Sequence, residues 1–225
     1  SIETMMALGK YSTASAAIRK MMAVLPNDPI LRGRLITCLK LDGKAKEACD
    51  VLKQWLSQAT DADKAVTLRF EILNSMRTAK LYDSAQTFMN DWLLVDHLRV
   101  KRIIGWKAST FLIAEKPAEA ITYAEKLLAG SPRNHPIKVV LITALTKTKA
   151  YSKAHGLLDK WISEQIKKPD NTQISQAGMP LTPQHMIGEY QGLKAGLYVS
   201  AGKLDQADAY AASCIKKDPG NIRVR

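Results

Sequence analysis

The chain has 225 residues, 46% of them apolar, 24% charged and 6% aromatic, and its 33 Lys and Arg against 21 Asp and Glu give a net charge of +12. No apolar run approaches the roughly 18 to 20 residues that a membrane-spanning helix needs, so direct membrane insertion by this chain is not expected. With 12 Gly and 9 Pro scattered along it, the sequence fits neither a disordered nor a collagen-like chain, and its apolar fraction predicts a folded protein with a sizeable core.

Ser1 to Met6 reads as helix, with no basic segment, apolar core and small-residue cleavage site of a signal peptide. At the other end Asp218-Pro219-Gly220-Asn221 reads as a turn that opens a further helix, and the two ends together predict an excised fragment of a longer protein. Cys38, Cys49 and Cys214 are too few to form a disulfide framework and read as small core hydrophobes, with Cys38 and Cys49 as possible neighbours in one repeat.

Gly9-Lys10-Tyr11 with Ala14 returns as Gly43-Lys44-Ala45 with Ala48, and the series runs on through Lys80-Leu81-Tyr82 with Ala85, Pro117 with Ala120, Lys149-Ala150-Tyr151 with Ala154, and Gly202-Lys203-Leu204 with Ala207. The alanines are spaced by 34, 37, 35, 34 and 53 residues. Pro26, Pro132 and Pro219 each fall twelve residues after an alanine, where a proline closes a helix. Between these marks apolar residues recur at helical spacing, as in Leu31, Leu35, Cys38 and Leu39, and strand-like alternation is absent. Each unit therefore reads as two antiparallel helices with corners near Gly9, Gly43, Lys80, Lys116, Lys149 and Gly202, and no strand pairing is expected.

These residues resemble the tetratricopeptide repeat family, whose 34-residue motif places a small residue and a Tyr at the corner, an Ala early in the second helix and a Pro at its end. The resemblance implies an all-α, right-handed superhelical solenoid of about six helix-turn-helix repeats. Residues 1–162 would hold repeats one to five, 163–183 an inserted loop, and 184–225 the sixth repeat with the start of a next helix. Seven residues after each alanine, where the family has a second small residue, this chain has Met21, Trp55, Trp92, Leu127, Trp161 and Cys214. The three tryptophans read as fillers of a wider gap between packed helices, with an aromatic ladder for a ligand as the alternative.

The inserted loop is followed by a helix carrying Gly188, Gly192 and Gly196 on one face. Glycine costs a helix about 1 kcal/mol relative to Ala, so an aligned set predicts close approach by another segment. Ile174, Met179 and Leu181 make residues 172 to 182 the expected cover.

Chemistry is poorly signalled. His97, His135, His155 and His185 are scattered, without the spacing that shares a metal on one helix face, and there is no phosphate loop, nucleophile elbow or Cys-x-x-Cys. No cofactor and no enzymatic activity are expected. The resemblance instead implies binding on the first helices, whose groove positions here are Arg34, Thr37 and Lys40, then Phe70, Asn74 and Arg77, then Arg102, Trp106 and Ser109, then Thr143 and Lys147. Thr37, Asn74, Ser109 and Thr143 would leave hydrogen-bonding room for an extended peptide. The flanking cations would suit an acidic peptide or partner domain, and Trp106 would either anchor an apolar ligand side chain or pack within the repeats. The family's clamp for a terminal carboxylate is echoed by Asn74 with Lys40 or Arg77, but Phe70 stands where a Lys is expected. A second reading takes the +12 charge as attraction to an anionic polymer, either nucleic acid or acidic polysaccharide.

Overall fold

The structure is a computed structural model that describes residues 1–96, 100–168, 174–176, 179–221 and 223. Its helices alternate as first and second members of hairpins: α1 (Ile2–Ala7) with α2 (Tyr11–Met22), α3 (Pro29–Leu41) with α4 (Ala45–Ser57), and α5 (Ala62–Thr78) with α6 (Tyr82–Val95). There follow α7 (Val100–Ile113) and α8 (Pro117–Gly130), then the hairpins of α9 (His135–Lys147) with α10 (Tyr151–Ile166) and of α11 (Pro183–Ser200) with α12 (Leu204–Lys217). The chain folds as two compact units, Ser1–Thr110 and Phe111–Arg225.

The corners are one backbone device repeated. Gly9, Gly43, Lys80, Glu115, Lys149 and Gly202 all have φ between 57° and 74°. In each, the N–H of the following residue donates back five positions, as from Lys44 N to Leu39 O at 2.8 Å and from Ala150 N to Leu145 O at 2.8 Å. This geometry answers carbonyls that a helix end leaves unpaired. The residue that closes one helix also begins the next, which is why α2, α4, α6, α8, α10 and α12 have no side-chain N-cap. First helices start on side chains instead: Asp28 accepts from Ile30 N and Leu31 N, Asp61 from Lys64 N, and Thr182 from His185 N. At the fourth corner the left-handed residue is Glu115, one position before the expected Lys116.

The repeat alanines lie at the helix crossings. Ala14, Ala48, Ala85, Ala120 and Ala154 are fully buried, and a methyl group there lets the paired backbones approach. The tryptophans pack beside them as fillers: Trp92 is 2%, Trp161 6% and Trp55 9% exposed. Each lies beneath a cation from the first helix of its own hairpin, 23 positions earlier: Arg32 over Trp55 at 4.9 Å, Arg69 over Trp92 at 5.7 Å and Lys138 over Trp161 at 4.6 Å. Trp92 also donates from Nε1 to Asp96 at 3.1 Å. Cys38, Cys49 and Cys214 are free thiols buried in the core, and burial pushes the thiols of Cys38 and Cys49 up.

The repeats are wholly helical, but the insertion departs from the strand-free expectation. Residues Ile174–Gln176 (β1) pair antiparallel with Met179–Leu181 (β2), with Ile174 opposite Leu181 and Gln176 opposite Met179. The alternation is too short to stand out in the sequence, since three residues make less than two periods. Among the described residues no helix is long and apolar enough to cross a membrane.

Candidate functional site

In the first unit the first helices α3 and α5 border a cleft of about 1160 Å³, with the end of α4 closing one side. Thr37, Lys40 and Asn74 line it, as do Arg32, Lys64 and Glu71. The polar capacity expected of this face is partly used internally. Thr37 donates its hydroxyl to Gly33 O at 3.0 Å, and Lys40 Nζ lies 2.9 Å from Glu71 Oε2. Arg34 is not among the cleft's lining residues and pairs with Glu3 at 2.6 Å. Asp61, Asp63 and Glu71 offset Arg32, Lys40 and Lys64, so the cleft is close to neutral, unlike the basic groove expected from sequence.

Among the described residues Arg77 on α5 and Arg102 on α7 are cations without a carboxylate partner. Phe70 and Trp106 are half-buried with ring centroids 5.3 Å apart, and Phe70 also meets the edge of Trp92 at 4.7 Å. Arg77 stands 5.1 Å over the Trp106 ring and Arg102 stands 3.9 Å over Phe70. Trp106 is therefore a packed residue in a cation-aromatic stack. Ser109, one turn on, donates its hydroxyl to Trp106 O at 2.9 Å.

In the second unit Thr143 and Lys147 line a pocket of about 440 Å³ between α9 and α11, together with Leu193, Gly196 and Arg223. Thr143 donates to Val139 O at 2.9 Å, so its hydroxyl too is turned onto its own helix. Beside the pocket, His135 Nε2 lies 2.7 Å from Glu189 Oε2 and His135 Nδ1 lies 3.2 Å from the Tyr190 hydroxyl. Burial holds the His135 imidazole below its ordinary range against the opposing pull of Glu189. The same cause lowers Lys138, whose ammonium faces the rings of Trp161 at 4.6 Å and Tyr190 at 5.6 Å.

Two glycines of the aligned face have close neighbours. A Cβ on Gly188 would meet Asn221 Oδ1 at 3.3 Å, and one on Gly192 would meet the Arg223 carbonyl oxygen at 2.6 Å, while Gly196 has nothing within 4 Å. The C-terminal residues Asn221 and Arg223 thus approach the stripe. Gln184 and Gln191 hold this segment, Gln184 donating to Asp218 at 2.6 Å and Asn221 donating to Gln191 at 2.6 Å, and Arg223 reaches Glu189 at 3.5 Å. The expected burial of Ile174, Met179 and Leu181 falls on side chains outside the described residues.

Sequence reasoning missed Lys138, Glu189, Tyr190 and the ion pairs. The pairs carry a signal: Arg34 with Glu3 and Lys40 with Glu71 are both separated by 31 positions. Arg19 with Glu47 and Lys153 with Glu125 are separated by 28. Opposite charges slightly less than one period apart thus mark neighbours on successive helices of the same kind. Among the described residues no three His, Cys, Asp or Glu side chains gather to hold a metal.

Hairpins of this length, joined by left-handed corners and packed on repeat alanines, define the helical-repeat class to which tetratricopeptide repeat proteins belong. Two solved structures carry the likeness. A tetratricopeptide repeat protein from Parabacteroides merdae superposes with a TM-score of 0.52 at 15% identity, covering 96% of this chain and 76% of that one. The nearly identical repeats of a putative kinesin light chain from Podosopora anserina give 0.52 at 14% identity, covering 83% of this chain and 95% of that one. At these identities the fold is what is shared. No protein-family model and no curated sequence matches the chain.

Proposed function

We propose that this chain is a non-enzymatic interaction scaffold that holds a peptide or partner domain against the first helices of its repeats. The observation that supports this most is the cleft of about 1160 Å³ on α3 and α5, with Thr37, Lys40 and Asn74 along it. A stacked array of helix hairpins gives a long, pre-formed surface whose ordering cost is met by the fold, and an extended peptide can lie on it without displacing any element. Thr37 and Asn74 are exposed, so their replacement tests the surface without disturbing the core. A random dodecapeptide phage library panned on the chain is expected to yield peptides that lose about tenfold or more in affinity for Thr37→Trp and Asn74→Trp, which fill the cleft. Absence of enriched peptides, or peptides indifferent to both substitutions, would overturn the reading.

A further inference from the structure

We infer that the stack Arg77, Trp106, Phe70, Arg102 is a two-point receptor for carboxylates on an acidic peptide. This rests on the interaction-scaffold reading and names its partner chemistry. In neither arginine does the charge meet an acid: among the described residues Arg77 and Arg102 have no carboxylate partner, whereas Arg34 and Lys40 of the same unit are engaged with Glu3 and Glu71. Each guanidinium lies over a ring instead, Arg77 at 5.1 Å from Trp106 and Arg102 at 3.9 Å from Phe70. A guanidinium carries five N–H donors, more than one ring contact takes up, and paired donors of this kind match a carboxylate bidentately. The ring contact also restrains the side chain in advance, so fewer rotamers are lost when an anion arrives.

The same geometry separates peptide from nucleic acid. A single-stranded nucleic acid site offers free aromatic faces on which bases stack. Here the rings are already engaged: Phe70 meets Trp92, Trp106 and Arg102, and Trp106 meets Phe70 and Arg77. What remains for a ligand is the N–H donors of the two guanidiniums, one beside each ring of the aromatic pair. An acidic segment presenting two carboxylates satisfies both, and the aliphatic parts of its side chains can lie along the rims of the half-buried rings.

The test uses the whole chain and two defined probes, fluorescein-labelled octaglutamate and fluorescein-labelled oligothymidylate of eight nucleotides, read by anisotropy. Arg77→Lys and Arg102→Lys keep the charge and remove the fork. Each is expected to weaken octaglutamate by about tenfold, the scale of a hydrogen bond to a charged group. Lys216→Gln with Lys217→Gln, at the end of α12, should change octaglutamate affinity by less than about twofold, the scale of exposed charges. Equal effects from the lysine and arginine variants would reduce the attraction to diffuse net charge and overturn the receptor. Oligothymidylate binding as tightly as octaglutamate, with the same arginine dependence, would overturn the peptide assignment. If the cleft substitutions Thr37→Trp and Asn74→Trp abolish phage-selected peptides while Arg77→Lys leaves octaglutamate unchanged, the scaffold reading stands and the receptor falls.

Discussion

The two units place a cation over a tryptophan at the same repeat position but treat it differently. In the first unit Arg32 over Trp55 is half-buried, and its guanidinium also donates from Nε to Pro26 O at 3.1 Å and from Nη2 to Asn27 Oδ1 at 2.8 Å. In the second unit Lys138 over Trp161 is only 4% exposed, because Tyr190 from α11 closes on it from the other side. The repeat therefore dictates where the cation goes, while the neighbouring helix decides whether it keeps its water. An arginine that spreads its charge over backbone and amide partners is held; a lysine between two rings loses hydration, and its pKa falls accordingly.

The largest break in this comparison is removal of the ring. Trp161→Ala takes away a filler that meets both Lys138 and Tyr190 and should cost about 3 to 5 kcal/mol. Trp55→Ala, at a more exposed site, should cost about 1 kcal/mol less, and urea unfolding of both variants checks the order. Next comes Gly192→Leu, whose Cβ would lie 2.6 Å from the Arg223 carbonyl oxygen. A loss of about 1 to 3 kcal/mol, or release of residues 218–221 seen as new amide exchange, is expected there, while Gly196→Leu in open space should be tolerated.

A smaller effect tests the cations themselves. Lys138→Met removes a desolvated ammonium and should be neutral or stabilising by about 1 kcal/mol, whereas Arg32→Met should destabilise by a similar amount. Comparable in size is Lys80→Gly, which relieves a side chain held at φ 57° and should stabilise by about 1 kcal/mol, measured as a raised urea midpoint. Smallest is a pH slope in the second unit. Burial lowers the imidazoles of His135 and His155 below the ordinary 6.5, so the unfolded chain takes up those protons more readily. Stability is then full above about pH 6.5 and declines as pH falls through the depressed folded values. His155→Gln should flatten the decline between about pH 7.5 and pH 5, and an unchanged slope would remove His155 from it.

The repeat was legible because period and corner are local: Ala14 to Ala48 and Gly9 to Gly43 recur whatever surrounds them. The tryptophan fillers followed from the same register. The approach of the C-terminal residues to Gly188 and Gly192 was not legible, because it uses an asparagine amide and a backbone carbonyl that hydrophobicity does not report. The basic groove was overestimated for a related reason. Counting Arg34 and Lys40 as free cations ignores Glu3 and Glu71, which lie almost one repeat away in sequence and adjacent in space. Trp106 was left open between anchor and filler, and its neighbours Phe70 and Arg77 could not be read from the repeat alone.

The three buried thiols give the molecule its own clock. Cys38 and Cys49 lie in the first unit and Cys214 in the second, and each is closed to solvent in the native fold. A thiol-specific reagent therefore reacts only when the hairpin around its target opens, and its rate reads the free energy of that opening. With Cys214 as the single thiol of the second unit, alkylation followed by mass spectrometry reports the two units separately in one experiment, without a label or a substitution.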